Sequence, residues 1–591
     1  MANASGPLLK TLSSDRGDKA SIKSVQQSHT LSELRRQASK ANVAVHTGLG
    51  RKIIAFVALL IALLCALPMV SVLIEALSGS FETTARLGAS LLPGYALTTV
   101  ILMVLVGAGT LLIGTGTAWL VSACEFTGRR WLEIALVLPL AFPAYVLAYA
   151  YTDLLDHPGL VQTTLRNVFG WGPRDYWFPE VRSVGGAGLM LTLVLYPYVY
   201  LLARAAFLMQ GIAPFVVARS LGCAPFRAFW QVALPLVTPA VAAGVLLALM
   251  ETIADFGTVA HFGVQTLATG IYTTWFTLGD RVASAQLALG LLAIALLLIG
   301  LERLRSKGEL ALAQDANRSR WPRIRLQGRQ AVAAFSACSL PVVLGAVIPV
   351  VMLFSLSRGS EQNWLSERYV GFFTNSLTLA SVAAVVTLVA AILLSTNRRL
   401  GKSRGAQAAV GIARMGYAVP GGVIAIGLFV PVAGLDNVVD AWARANLGFS
   451  TGLIFSGSIA LLIVAYMIRF LAAALGAWRA GEATVTRDLD RAAAGLGANT
   501  TTVLRRIHIP MLRPAALTAM LLVFVDTIKE LPATLTIRPF GWDTLAVQAY
   551  RLAADERLEG AAVPSLVIVA IGLVPVIILC RRMNTGPRSV I

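Results

Sequence analysis

Leu221-Gly222-Cys223-Ala224-Pro225-Phe226-Arg227, running on to Val232-Ala233-Leu234-Pro235 and Pro239, returns later in the chain. Its second copy is Leu496-Gly497-Ala498-Asn499-Thr500-Thr501-Thr502, running on to Ile507-His508-Ile509-Pro510 and Pro514. The spacing is the same in both: a Leu-Gly pair, a branched apolar residue ten positions after the glycine, then x-[Leu/Ile]-Pro and a proline four further on. Each copy is polar and lies between long apolar runs. An apolar chain that repeats one polar loop is repeating an attachment point.

Of the 591 residues, 57% are hydrophobic and 13% charged, where a soluble chain has about 25% charged. This excludes a soluble enzyme. Apolar runs long enough for membrane helices fall near 53–77, 95–122, 131–155, 185–209, 236–256 and 283–301. After a basic stretch they resume near 331–356, 374–396, 409–432, 451–475, 514–532 and 561–580. The expected fold is all-α: a polytopic membrane protein with about twelve spans, six on each side of the linker. Residues 1–50 read as a disordered cytoplasmic tail without a signal peptide, 51–302 as a first unit, 303–330 as a basic linker and 331–591 as a second unit. The net charge of +19 is spread over short loops. That is a positive-inside pattern against membrane lipid, not a nucleic-acid surface. The basic side collects Arg129-Arg130, the linker, Arg398-Arg399, Arg505-Arg506 and both Leu-Gly loops, so these and both termini are expected to be cytoplasmic. Cys65, Cys124, Cys223, Cys338 and Cys580 form no C-x-x-C or Cys/His cluster, so neither disulfides nor a metal site are expected. His157, His261 and His508 are isolated in sequence and read as non-ligands.

The halves are repeats. Pro68 matches Pro349, Ala141-Phe142-Pro143 matches Ala418-Val419-Pro420, and Glu251-Thr252-Ile253 matches Asp526-Thr527-Ile528. Gln265-Thr266-Leu267-Ala268 matches Asp543-Thr544-Leu545-Ala546. Six spans per unit keep both units in one orientation, with the pseudo-twofold along the membrane normal and a pathway between them. A charge inside a span costs about 2.5–3.5 kcal/mol, so it is a functional candidate. Glu251 and Asp255, with their repeat-mates Asp526 and Glu530, are the candidate pathway residues, together with Lys529, which aligns with Ala254. From Pro239, Asp255 lies roughly 24 Å along a helix rising about 1.5 Å per residue, which puts it near the periplasmic end. The competing reading is structural: carboxylates anchoring helices by pairing with Lys529, Arg281 or Arg557.

Written out, the loops follow [x-Ala-Ala]-x3-Gly-x9-[Val/Ile]-x-[Leu/Ile]-Pro. This resembles the "EAA" loop of ABC-importer permeases, which docks a short cytoplasmic helix into a cleft of the ATPase subunit. The residues that carry the resemblance are Ala218, Leu221, Gly222 and Pro235 in one copy. In the other they are Ala492, Ala493, Leu496, Gly497 and Pro510. Alanines favour the helix, glycine permits a positive φ or a close approach, and proline suits the first turn of the next helix. The copies depart from the family pattern, with Val216-Val217-Ala218 in the first and Arg491 in place of the glutamate in the second. Gly401-Lys402-Ser403 is not a phosphate-binding loop, because Thr396 stands where its first glycine belongs. The chain is therefore expected to be no enzyme and to bind no cofactor, with ATP and Mg on a separate ATPase. Met250–Val259, Thr269–Trp275 and Asp526–Leu535 extend the likeness over about residues 50–585 to the fused, two-unit permeases of ferric-iron importers. That resemblance implies a type I importer architecture, two ATPase copies, a periplasmic solute-binding protein and a bacterial inner membrane. Fused permeases for thiamine or phosphonate-type solutes share the architecture. An ion-coupled secondary transporter is the alternative from another class.

Overall fold

The computed structural model describes residues 49–79, 92–173, 175–210, 213–306, 323–360, 362–363, 366–400 and 404–584. Nearly all of the expected tail and linker residues 307–322 lie outside the described residues. The first half contributes α1 (Leu49–Leu77), α2 (Leu92–Ala123), α3 (Ala144–Leu155), α4 (Val184–Gln210), α5 (Leu234–Ala254) and α6 (Arg281–Ser306). The second contributes α7 (Arg329–Gly359), α8 (Glu367–Leu400), α9 (Gly421–Leu447), α10 (Ile459–Glu482), α11 (Arg513–Ile528) and α12 (Leu558–Asn584). Among the described residues ten helices are long and apolar enough to cross a membrane, or twelve if each of two bent pairs is one span. Leu63 on α1 and Val104 and Leu112 on α2 are exposed, as suits helices whose outer faces meet lipid. Two buried hydroxyls of α2 are satisfied within the helix: Thr110 donates to the Val106 carbonyl at 2.8 Å and Thr117 to Ile113 at 2.6 Å.

The expected third span, 131–155, is not one straight helix. Arg129–Ala141 and Ala144–Phe169 meet at 94°. Phe142 and Pro143 are extended, because a proline pushes the residue before it out of the helical region. The second half breaks at the equivalent place. Val419 and Pro420 are extended, so the expected span 409–432 is a helix over Arg404–Met415, a break, and then α9. The Ala-x-Pro repeat is thus a pair of matched interruptions.

Other contacts repeat as well. Leu267 N donates to the Thr99 hydroxyl on α2 at 3.1 Å, and Leu545 N to the Ser376 hydroxyl on α8 at 2.8 Å. The halves are nevertheless not separate bodies. The first helix of each crosses to the other: α1 packs against α8 and α9, and α7 against α3 and α4. A Cβ at Gly427 of α9 would lie 2.7 Å from Pro68 Cα of α1, so glycine is what lets the two backbones meet. On the other side the Tyr151 hydroxyl of α3 donates to the Leu344 carbonyl of α7 at 2.7 Å. The end of the linker is pinned to the first half by a short parallel pairing of Cys124–Glu125 with Ile324–Arg325 and by Arg323–Glu125 at 3.3 Å.

Candidate functional site

The two Leu-Gly loops fold alike. Helices Ala213–Ser220 and Arg487–Gly495 each end on a left-handed glycine, Gly222 at φ 85° and Gly497 at φ 78°. Cys223 N donates to the Ala218 carbonyl and Gly222 N to Arg219, both at 3.0 Å. Ala498 N donates to Ala493 and Gly497 N to Ala494, again at 3.0 Å. This is the Schellman termination, which uses glycine because its φ is positive. It leaves Leu221 83% and Leu496 90% exposed at the turn. A Cβ on either glycine would meet nothing within 4 Å. Within this chain the requirement is therefore the positive φ, and no close approach is made. Wide π-type turns follow at equivalent places, Phe229–Ala233 and Leu504–His508, just before Pro235 and Pro510, whose missing N–H interrupts the ordinary helical ladder. The first copy then runs directly into α5. The second bends by 77° at Leu512, so Pro510 opens the short helix Ile509–Met511, and Pro514 occupies the first turn of α11.

The loops are anchored by different chemistry. In the second, Asp490 pairs with Arg399 of α8 and with His508, each at 2.7 Å. Arg399 also donates to the carbonyls of Glu482, Val485 and Thr486. Burial pushes the Asp490 carboxyl up, but hydrogen bonds from His508 and Arg399 outweigh it and hold the group below the usual carboxylate range. The corresponding residue of the first loop is Phe215, whose ring lies 5.0 Å from Trp119, itself packed on Phe207 and Phe229. His508 is therefore not isolated in the fold.

The candidate pathway residues come together. Glu251, Asp255, Asp526, Lys529 and Glu530 all line one cavity of about 90 Å³ between the halves, with Tyr145 and Arg469. Their jobs differ. Asp255 accepts hydrogen bonds from Thr258 N at 3.1 Å and Val259 N at 3.2 Å, capping helix Gly257–His261. Glu530 does the same for helix Pro532–Ile537, accepting from Ala533 N at 3.2 Å and Thr534 N at 3.1 Å. These two are helix anchors. Glu251 and Asp526, repeat-mates of each other, face the cavity. Lys529 pairs with Asp526 at 3.0 Å.

The other cation is Arg469, not Arg281 or Arg557. It stands 3.5 Å from Glu530 and 4.0 Å from Glu251, while the Tyr417 hydroxyl donates to Glu251 at 2.9 Å. Glu251 belongs to the first half, and Arg469 and Tyr417 to the second. Arg469 lies ten residues after Ile459 in α10, roughly 15 Å at about 1.5 Å per residue. Asp255 directly follows the last residue of α5, where the chain turns back through short helices, and the cavity there faces Arg469, partway along α10. Arg469 was legible in principle: a lone arginine within an apolar helix is the same signal that singled out the carboxylates.

Two crossed six-helix repeats, a charged cavity between them and a matched pair of glycine-capped loops define a multi-pass, all-α permease. Residues 388–585 match the model of the binding-protein-dependent transport system inner membrane component. Over 489 residues the chain is 26% identical to the Fe(3+)-transport system permease protein FbpB 2 of Haemophilus influenzae, covering 81% of this chain and 88% of that protein. It is 26% identical over 484 residues to a probable ABC transporter permease of Sinorhizobium fredii, covering 78% and 82%. It is 28% identical over 186 residues to the molybdenum transport system permease ModB of Escherichia coli, covering 30% and 78%. The chain is thus similar along most of its length to ABC transporter permeases, and among its described residues it has ten to twelve helices or bent helix pairs long and apolar enough to cross a membrane.

Proposed function

We propose that the chain is the fused permease of an ATP-driven importer that passes ferric iron from a periplasmic binding protein to the cytoplasm. The observation that carries the coupling part is the pair of identically terminated loops, each holding an exposed leucine at its turn. A separate ATPase docks there, one copy on each loop, and both loops and both termini face the cytoplasm. ATP and Mg stay on that partner. The cargo reading is supported by Glu251 and Asp526 facing the cavity between the halves, since a hard trivalent ion prefers oxygen ligands. The iron-transport name of the Haemophilus relative agrees with it. Purification of the tagged chain in mild detergent, with identification of the bound proteins, tests the assembly. An ATPase recovered at two copies per permease is the expected result, and a permease recovered repeatedly without any ATPase would count against it. Iron uptake tests the pathway: Glu251→Gln with Asp526→Asn is expected to lower uptake without lowering permease level or ATPase binding. Unchanged uptake would end the pathway role of these carboxylates.

A second reading has its own support. Arg469 and Lys529 also line the cavity, and a phosphonate-type oxyanion would seek them. Uptake competition between ferric citrate and a phosphonate separates the two.

A further inference from the structure

The arginines at the two functional places are held very differently. Arg399 is fixed by a 2.7 Å ion pair and several backbone carbonyls. Arg469 is 9% exposed, its Nη1 has no hydrogen-bond partner, and its two carboxylates stand at 3.5 and 4.0 Å. Charge-assisted pairs close to about 2.7–2.9 Å, so this guanidinium sits between two anions without being tightly bound to either. It has no symmetry mate, because the position equivalent to Arg469 in α4 is Val194 and that equivalent to Lys529 is Ala254. Both of these residues line the same cavity. The first half therefore presents Glu251 and Asp255 to the cavity with no cation of its own. The Tyr145 hydroxyl, on the same cavity and 4% exposed, has no hydrogen-bond partner either.

We infer that the cavity, which the unpartnered Tyr145 hydroxyl also lines, is a binding site for one hard, oxygen-seeking cation at Glu251, and that the Arg469 guanidinium is a tethered stand-in for that cation while the site is empty. This deepens the pathway reading and rests on it. An arriving cation displaces the guanidinium from Glu251 toward Glu530, which lies in the same half as Arg469 and on its near side. Among the described residues no three His, Cys, Asp or Glu side chains are close enough together to hold a metal ion. The cation is thus offered Glu251 as its one carboxylate, in competition with Arg469, which suits a site that must release its ion in transit. Loss of an uncompensated charge partner from a buried pair is destabilising, so Arg469→Met is best read beside Arg469→Met with Glu530→Gln, in which both charges are gone.

Terbium(III) is a suitable probe: a hard trivalent ion whose emission is sensitised by nearby tyrosine. It is titrated into the purified full chain in lipid nanodiscs. Removing the stand-in, in the single variant or in the neutral pair, is expected to tighten terbium binding roughly tenfold. Glu251→Gln is expected to abolish the sensitised signal in every background. Terbium affinity unchanged or weakened in both arginine variants overturns the proposal. So does native binding of inorganic phosphate that disappears with Arg469→Met, which would make the cavity an oxyanion site. The pathway reading fails separately. Terbium behaving as expected with native iron uptake in the Glu251→Gln, Asp526→Asn protein removes the pathway role and keeps the site. Reduced uptake with terbium indifferent to Arg469 and Glu251 keeps the pathway and removes the site.

Discussion

Gly421 opens α9 just after the Pro420 interruption, and the Arg469–Glu530 pair lies directly over it. A methyl group there would stand 2.5 Å from Glu530 Oε1 and would also meet Arg469 Nη1, while one at Gly422 would meet nothing within 4 Å. Gly421→Ala should therefore cost about 1–3 kcal/mol, the usual range for overpacking, and Gly422→Ala much less. Thermal unfolding of the two variants in one detergent checks this, and equal melting curves would mean that the ion pair yields freely. At this scale the carboxylates were legible from sequence, since charge in an apolar helix stands out on its own. Their division of labour was not. Asp255 and Glu530 become caps only because α5 and α11 stop short and a new helix begins beside them. Arg469 finds Glu251 only through the packing of one half on the other.

The helices that lead into the two Leu-Gly loops show what a short motif discloses about an element. The Leu-Gly spacing was enough to place a helix end and a left-handed glycine, because few residues other than glycine tolerate that φ. It was not enough to show what holds the helix down, since Asp490 and Phe215 occupy one position with opposite chemistry. The Asp490 carboxyl is held below its ordinary value. Its contribution is therefore fully present above the unfolded carboxylate range, about 3.9, and is lost as pH falls through the lower folded value. Asp490→Asn should remove about 1.5–3 kcal/mol of local anchoring, the worth of hydrogen bonds to a charged group. Hydrogen exchange of residues 487–498 at pH 7 is expected to quicken in this variant, while residues 213–223, anchored by aromatic rings, are unaffected. Equal exchange of residues 487–498 in the native protein and in the Asp490→Asn variant would show that Arg399 and His508 contribute nothing there.

At the scale of the molecule, hydropathy predicted about twelve spans, against ten to twelve among the described residues, and the repeats predicted the matched breaks and loops of the two halves. The exchange of α1 and α7 was beyond it, because the apolar outline of a membrane helix says that it spans and not which neighbour it packs on. The extended breaks at Phe142-Pro143 and Val419-Pro420 likewise split spans that composition alone reads as continuous. Orientation follows from the loop charges and is open to direct measurement. A cysteine replacing exposed Asn446, beyond the middle of α9, should react with an impermeant thiol reagent from outside the cell, and one replacing exposed Asn499 only after the membrane is opened. Labelling of the second from outside would invert the topology.

The central claim is that the two glycine-capped loops hold the ATPase, and the most direct measurement is recovery of that subunit with Gly222→Glu and Gly497→Glu together. Both glycines have a positive φ and open space around them within the chain. A glutamate there strains the turn by about 1–2 kcal/mol and projects a charge from the surface beside Leu221 and Leu496. The account predicts normal amounts of permease in the membrane, with the ATPase lost on purification and transport abolished. A fully inserted double variant that still copurifies its ATPase and transports at the native rate would contradict it.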